Sequence, residues 1–349
     1  MLENCGLSTA SVVLPDDANP AGNVHGGTIL KMIEQAGHVV ATRFFNGPQR
    51  CEPHRHVFGS LAQIYQMDFQ APMFIGNLAK VFAKPTFTSD RTVEVSVEVW
   101  AENLCTLDER KTNSAILSYV AMDMETCQAI KGTIPQLKCN TEEEKQLFQE
   151  GLGRYTQRKS DSSAISPCSS PMTPKASLGP RPVAHPNAPH GKTVQQSIVS
   201  LVQVMLPGDC WARNIVAGGV IMKLMDNAAG VCAAKFCGSN VVTACIDSLS
   251  FSAMVHCGDV VHISAKPVFT SAKSMDIEVR VQAERLFGVA SMETQRMPTT
   301  SGIFTFVSLD ADHKPQLIPP LIVESEEEES LFEIGQKRYE ARKNARTKK

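Results

Sequence analysis

The chain has 349 residues, 43% of them hydrophobic, which is enough for two domains that each bury a core. Lys+Arg 34 against Asp+Glu 36 leaves a formal charge of -2, with no basic excess to hold a nucleic acid or an anionic membrane by counterion release. Eleven cysteines lie scattered, several in apolar runs (Cys232, Cys237, Cys245) and none in a CxxC pair, so they are expected to be reduced thiols in a cytoplasmic protein.

Met1 to Ala10 shows no basic segment followed by an apolar one, and no run approaches the roughly 20 apolar residues of a spanning helix. The last residues, Arg346 to Lys349, match neither a peroxisomal address nor a prenylation site. No stable membrane association is expected.

The first strong element follows the loop GNVHGG. From Gly26, apolar residues fall at Ile29, Leu30, Ile33, Ala36 and Val40, the spacing of a helix of about five turns buried on a broad face. Ala36 and Gly37 leave room for another backbone to pack closely. Val93, Val95, Val97 and Val99, with Glu94, Ser96 and Glu98 between them, then alternate as in an antiparallel strand with one face on a core. A helix with an acidic first turn, suited to the positive end of its dipole, begins at Glu142.

The stretch from Ser160 to His190 is crowded with Ser and Pro and is expected to be a linker without a packed core. Beyond it the first elements recur. GGTILKMIEQAGHVVATRF (26 to 44) matches GGVIMKLMDNAAGVCAAKF (218 to 236) without a gap. PTFTSDRTVEVSVEVWAE (85 to 102) matches PVFTSAKSMDIEVRVQAE (267 to 284), and the acidic helix at 142 to 155 matches that at 326 to 339. Three collinear blocks mean one domain written twice. The division expected is 5–155, a linker at 156–192, and 193–340.

The double glycine opening each buried helix is a candidate site, since helix-start amides bind a carbonyl oxygen or an anion and glycine permits close approach. Its bland alternative is a tight turn. The polar residues nearby favour the first: Asn23 just before Gly26 and Gly27, and Asp226 on the second helix among Leu224, Met225 and Ala228, where a carboxylate is costly to bury without a purpose or partner. No GxSxG elbow and no metal-ligand spacing occurs, so neither a serine nucleophile nor a metal or other cofactor is expected.

The GNVHGG segment, the KLMD helix, the FTS strand block and the tandem layout resemble the double-hotdog acyl-CoA thioesterases of the cytosolic, brain type, over nearly the whole chain apart from linker and tails. The resemblance implies an α+β fold: a tandem double hotdog, each half a long helix wrapped by an antiparallel sheet. It implies that Asn23 and Asp226 are the catalytic pair, with Asp226 either general base on a water or nucleophile, and Gly26 and Gly27 stabilising the oxyanion. His25 is a second-tier candidate for positioning the thioester. Thr88, Ser89, Thr243, Ala244, Thr270 and Ser271, placed at strand starts or on a site strand, would contact CoA. Their alternative is ordinary strand-edge hydroxyls, as Arg91 and Lys273 are ordinary surface charge and Trp100 and Trp211 packing residues.

At the second possible site the aligned positions are Ile215 and Glu34, with Ala217 for His25. Isoleucine neither polarises a carbonyl nor orients water, so one working site is expected; Asn214 stands one residue out of register. The expected partner is an acyl-CoA substrate, in a homotrimer of double hotdogs. Competing functions are a non-catalytic acyl-CoA sensor of the same fold and a hydratase, which would want a His and an acid placed for proton abstraction.

Overall fold

The computed structural model describes residues 6–19, 22–47, 56–130, 134–164, 189–211, 214–286 and 295–347. The first half runs β1 (Leu7–Val12), α1 (Gly26–Phe45), β2 (Val57–Phe69), β3 (Asn77–Thr88), β4 (Thr92–Asn103), β5 (Glu109–Asp123) and α2 (Glu142–Ala164). After a short β6 (Lys192–Thr193), the second half repeats it: β7 (Val199–Val204), α3 (Gly218–Cys237), β8 (Asn240–Phe251), β9 (Val260–Thr270), β10 (Ser274–Glu284) and β11 (Arg296–Leu309). A two-residue β12 (Leu321–Ile322) and α4 (Glu326–Thr347) close the chain.

Ten strands form one sheet in the order β1-β3-β4-β5-β2-β8-β11-β10-β9-β7, so each half contributes five in mirror succession. The halves join where β2 pairs antiparallel with β8, Ile64 opposite Leu249 and Met67 opposite Ile246. This is the expected α+β double hotdog: α1 lies on β2 to β5, α3 on β8 to β11, and the two helices pack on each other. The apolar face read from the sequence is the buried one, with Leu30, Ile33 and Val40 at 0% exposure. The core is continuous across both halves.

Glycine sets how closely the helices approach. A Cβ on Gly27 would stand 2.9 Å from the Lys223 Cα, and one on Gly219 would stand 2.9 Å from the Lys31 Cα. The second glycine of each pair is thus a helix-crossing residue, a packing role rather than the tight turn weighed from the sequence. At Gly37 a Cβ would collide with the Tyr119 hydroxyl, which donates to the Glu34 carbonyl at 3.1 Å.

Two expectations are corrected. The alternation in β4 and β10 placed Glu94 and Asp276 on an outward face, yet both are buried, at 2% and 1% exposure. The closing helices cover that face: Arg154 on α2 meets Glu94 at 2.8 Å, and Arg342 on α4 meets Asp276 at 2.9 Å. A buried acid is tolerable here because a guanidinium and a threonine hydroxyl satisfy it, Thr86 in one copy and Thr305 in the other. The aromatic residues of the third sequence block serve the same docking, Phe87 packing on Phe148 and Tyr155, and Phe269 on Phe332 and Tyr339. The second correction concerns the linker. Helix α2 continues past 156 to Ala164, because Thr156 to Ser163 holds no Pro or Gly to stop it. The Ser/Pro stretch at 165–188 lies outside the described residues.

Candidate active site

The loop before α1 ends in His25, whose Nδ1 accepts the Gly27 N–H at 3.0 Å and so caps the helix. In α3 the aligned Ala217 has the same backbone angles (φ -64, ψ 134) and no side chain to cap. The Gly26 N–H, first of α1, has no acceptor among the described residues.

Asp226, two turns into α3, arrives at this helix start from the other half. A Cβ on Gly26 would lie 2.9 Å from its Oδ2 and 3.1 Å from the Thr243 hydroxyl. Thr243 donates to Oδ1 at 2.8 Å, and His25 Nδ1 lies 3.2 Å from Oδ2. The carboxyl is 2% exposed, and burial raises its pKa, opposed by the charge of His25 and by hydrogen bonds from Thr243 and the Gly27 amide. His25 Nδ1 cannot accept from Gly27 and face an ionised oxygen without a proton between them. A proton on Asp226, the form that burial favours, relieves that contact.

Asn23 is half-buried two residues before His25, pinned by a β-bridge to Phe74 and by its own N–H donating to Asn19 Oδ1 at 3.2 Å. Its counterpart Ile215, bridged to His256, lines a cavity at the start of α3, which puts the Asn23 position at the equivalent place by the start of α1. Asn23, His25, Gly26 and Gly27 thus gather at one helix start with Asp226. Gly22 and Asn214 both have positive φ, 83° and 62°. Asn214 is exposed and supplies the left-handed turn there, which Asn tolerates as Gly does.

The hydroxyls expected at strand starts stand instead where β3 and β9 end. Thr88 accepts from Leu137 N–H and donates to Gln136, while Ser89 accepts from the Arg91 and Thr92 amides. Thr270 accepts from Leu321 N–H, and Ser271 closes a turn with Ser274. Each hydroxyl has a partner within the chain. Thr243, placed on a CoA strand by the sequence, touches Asp226, while Ala244 follows it on β8 and lines a separate hollow with Arg342. Aligning the copies through their strands finds this role: the position of Thr243 is held in the first half by Leu61, whose side chain faces Gly218 as Thr243 faces Gly26. Among the described residues no three His, Cys, Asp or Glu side chains group as a metal site.

A thioesterase superfamily model matches residues 21–105 and 213–286, one stretch in each half. The cytosolic acyl coenzyme A thioester hydrolase of Mus musculus is 39% identical over 337 residues, 95% of this chain and 82% of that protein. Its Homo sapiens namesake is 39% identical over 343 residues, 97% of this chain and 84% of that protein. The chain belongs to the cytosolic acyl-CoA thioester hydrolase family. At 10% identity, a putative oleoyl thioesterase from Lactobacillus plantarum superposes over 88% of this chain and 99% of its own with a TM-score of 0.54, a likeness of fold alone. No described helix of this family member is long and apolar enough to cross a membrane.

The second helix start is built differently. Glu34 replaces Asp226 and is pushed up to about 7 by burial, opposed by a hydrogen bond from the Gly219 amide. The Trp211 indole N–H also lowers it, at a geometry too poor to count as a hydrogen bond. Apolar Leu61 and Ile215 stand where the first site has Thr243 and Asn23.

Proposed function

We propose that the chain hydrolyses an acyl-CoA thioester at one site, the start of α1, using groups from both halves. The buried Asp226 carboxyl held against Gly26 by Thr243 and His25 carries this reading. Burial makes its carboxylate a stronger base than an exposed one. Asp226 takes a proton from a water whose oxygen bonds to the thioester carbon, and the carbonyl oxygen becomes an oxyanion facing the Gly26 amide at the positive end of α1. Removing one such donor typically costs about 2.7–4 kcal/mol of transition-state stabilisation. Asn23 orients the water or the thioester oxygen. As the intermediate collapses the carbon–sulfur bond breaks, and the thiolate of CoA takes the proton back from Asp226, leaving free fatty acid.

The strand-end residues Thr88, Ser89, Thr270 and Ser271 would meet CoA through backbone or by exchanging their present partners, and three chains would assemble into six hotdog domains in the cytoplasm. A steady-state assay across acyl-CoA chain lengths tests the reading. Asn23→Ala and Asp226→Ala should each abolish hydrolysis while Glu34→Ala keeps most of it. Equal losses at Glu34 and Asp226 would sink the one-site arrangement, and a wild-type chain that binds acyl-CoA without turnover would point to the sensor.

A further inference from the structure

The start of α3 opens into a cavity of about 250 Å³ whose wall includes Glu34, His38, Leu61, Trp211, Ile215 and Thr300. Gly218 lies in the same wall, so the close approach that glycine allows at the first site is kept at the second. The cavity is not lined as a collapsed remnant would be. Trp211 is stacked on His38, ring centroids 4.3 Å apart and planes 8° from parallel, and His38 Nδ1–H donates to the Gly59 carbonyl at 2.9 Å. That bond fixes the imidazole, and burial lowers its pKa, so it stays neutral.

Among the described residues two polar atoms in this wall are buried without a well-formed hydrogen bond, the Trp211 Nε1–H, whose nearest acceptor is the Glu34 carboxyl, and the Thr300 Oγ1. Leaving a buried donor unpaired is costly, and native structures seldom do so without a reason. Both atoms can donate, and they stand in the same wall as the Glu34 carboxyl. The rest of the described lining is mainly apolar, with Phe58, Ile221 and Phe251, and among the described residues it contains no Lys or Arg. Such a wall suits a ligand with an acceptor at one end and an aliphatic chain behind it. Its described residues offer no cation to the phosphates of CoA.

We propose that this cavity is a binding site for a free fatty acid, its carboxyl set against Glu34, Trp211 and Thr300 and its chain lying along Leu61, Ile215 and Phe251. The proposal rests on the acyl-CoA reading only for the source of the ligand, since that reaction releases fatty acid. This start is not expected to hydrolyse a thioester, because Leu61 and Ile215 stand in place of Thr243 and Asn23. Two carboxyls brought together hold one proton between them, as like charges do not both ionise in a buried site. Glu34 at about 7 supplies that proton near neutrality. The other groups close to it do not compete: His38 is held neutral, Tyr119 is raised by burial and neutral, and Lys31 lies one turn back on α1 with its backbone against Gly219.

The test uses the full chain with octanoate as probe. Trp100 and Trp211 are its two tryptophans, so a Trp100→Phe variant makes the fluorescence a report on the cavity wall alone. Octanoate should change that emission saturably, with half-saturation about tenfold lower at pH 6 than at pH 8, because the protonated fraction of a group at about 7 falls by that factor. Glu34→Gln should bind at both pH values with no such difference, and Ile221→Phe, which fills the cavity, should lose the response. No saturable response at pH 6, equal half-saturation at the two pH values, or a pH dependence that survives Glu34→Gln would overturn the proposal. So would tighter binding of octanoyl-CoA than octanoate in an Asp226→Ala background, where turnover is blocked. Failure of the wild-type chain to hydrolyse octanoyl-CoA refutes the catalytic reading instead and leaves the octanoate titration standing.

Discussion

Gly26→Ala and Gly218→Ala make the same change at the same position of two helices and should have opposite consequences. The new methyl at 26 would stand 2.9 Å from Asp226 Oδ2, 3.3 Å from Oδ1 and 3.1 Å from the Thr243 hydroxyl. Asp226 is 2% exposed and held by Thr243 at 2.8 Å, so it can move only by giving up that bond or its approach to His25. The methyl at 218 would meet the Leu61 Cδ2 at 3.0 Å and Glu34 Cγ at 3.6 Å, apolar atoms of side chains that can turn aside. A misplacement of about 1 Å at a reacting group costs on the order of 10²-fold in rate, equivalent to about 2.7 kcal/mol of barrier. Alanine also favours a helix over glycine by about 1 kcal/mol, but that gain is common to both variants and cancels between them. The measurement is kcat/KM for acyl-CoA hydrolysis beside a thermal melt. Gly26→Ala should lose about 10²-fold with little change in Tm, while Gly218→Ala stays within about twofold of wild type. Equal losses in the two variants, or full activity in Gly26→Ala, would refute the placement of the reacting carboxyl at the start of α1.

Thr243→Val removes a hydrogen bond that lowers the Asp226 pKa, so the carboxyl rises further. The ionised base is present above that pKa, and the acid limb of the kcat/KM profile should therefore move to higher pH, with activity recovering on the alkaline side. Glu34 stands at about 7 folded against 4.5 when exposed, so the folded chain binds its proton more tightly across that window and loses stability as pH rises through it. The full penalty, about 3 kcal/mol, is in place above pH 7. Melts of Glu34→Gln and wild type should coincide near pH 4 and separate in favour of the variant by up to that amount at pH 8. Gly37→Ala drives a methyl into the buried Tyr119 ring and should cost about 1–3 kcal/mol of stability in a denaturant titration, the range for overpacking a tight core, with part recovered by adding Tyr119→Phe.

What the sequence made legible followed from local rules. Helix periodicity placed α1 and α3, alternation placed β4 and β10, and comparing the copies singled out Asn23 and Asp226 and isolated Ile215 and Glu34 as their mismatched counterparts. What stayed hidden depended on a second layer or a distant strand. Glu94 and Asp276 alternate with valines as exposed residues would, and only the docking of α2 and α4, with Arg154 and Arg342, makes them buried. Strand positions 88 to 89 and 270 to 271 gave no hint that their hydroxyls are spent on turns and on the segments returning from β5 and β11. The contact of Thr243 with Asp226 spans β8 and α3 and exists only once that helix lies on its sheet.

The double glycine shows why duplication can be read as chemistry. Within each pair the second glycine answers to packing: a Cβ on Gly27 or Gly219 would stand the same 2.9 Å from the Cα of Lys223 or Lys31, so the helix crossing constrains both copies equally. The first glycine answers to what faces it, and there the copies part, with Asp226 and Thr243 over Gly26 and with Leu61 and Glu34 over Gly218. A fold that needs both crossings keeps both helix starts, whether or not both take part in the reaction. The spare start is therefore kept open by the architecture and is free to change its lining, from polar groups that would act on a thioester to a stacked Trp211 and His38, a raised Glu34 and unpaired donors that suit a ligand carrying its own acceptor.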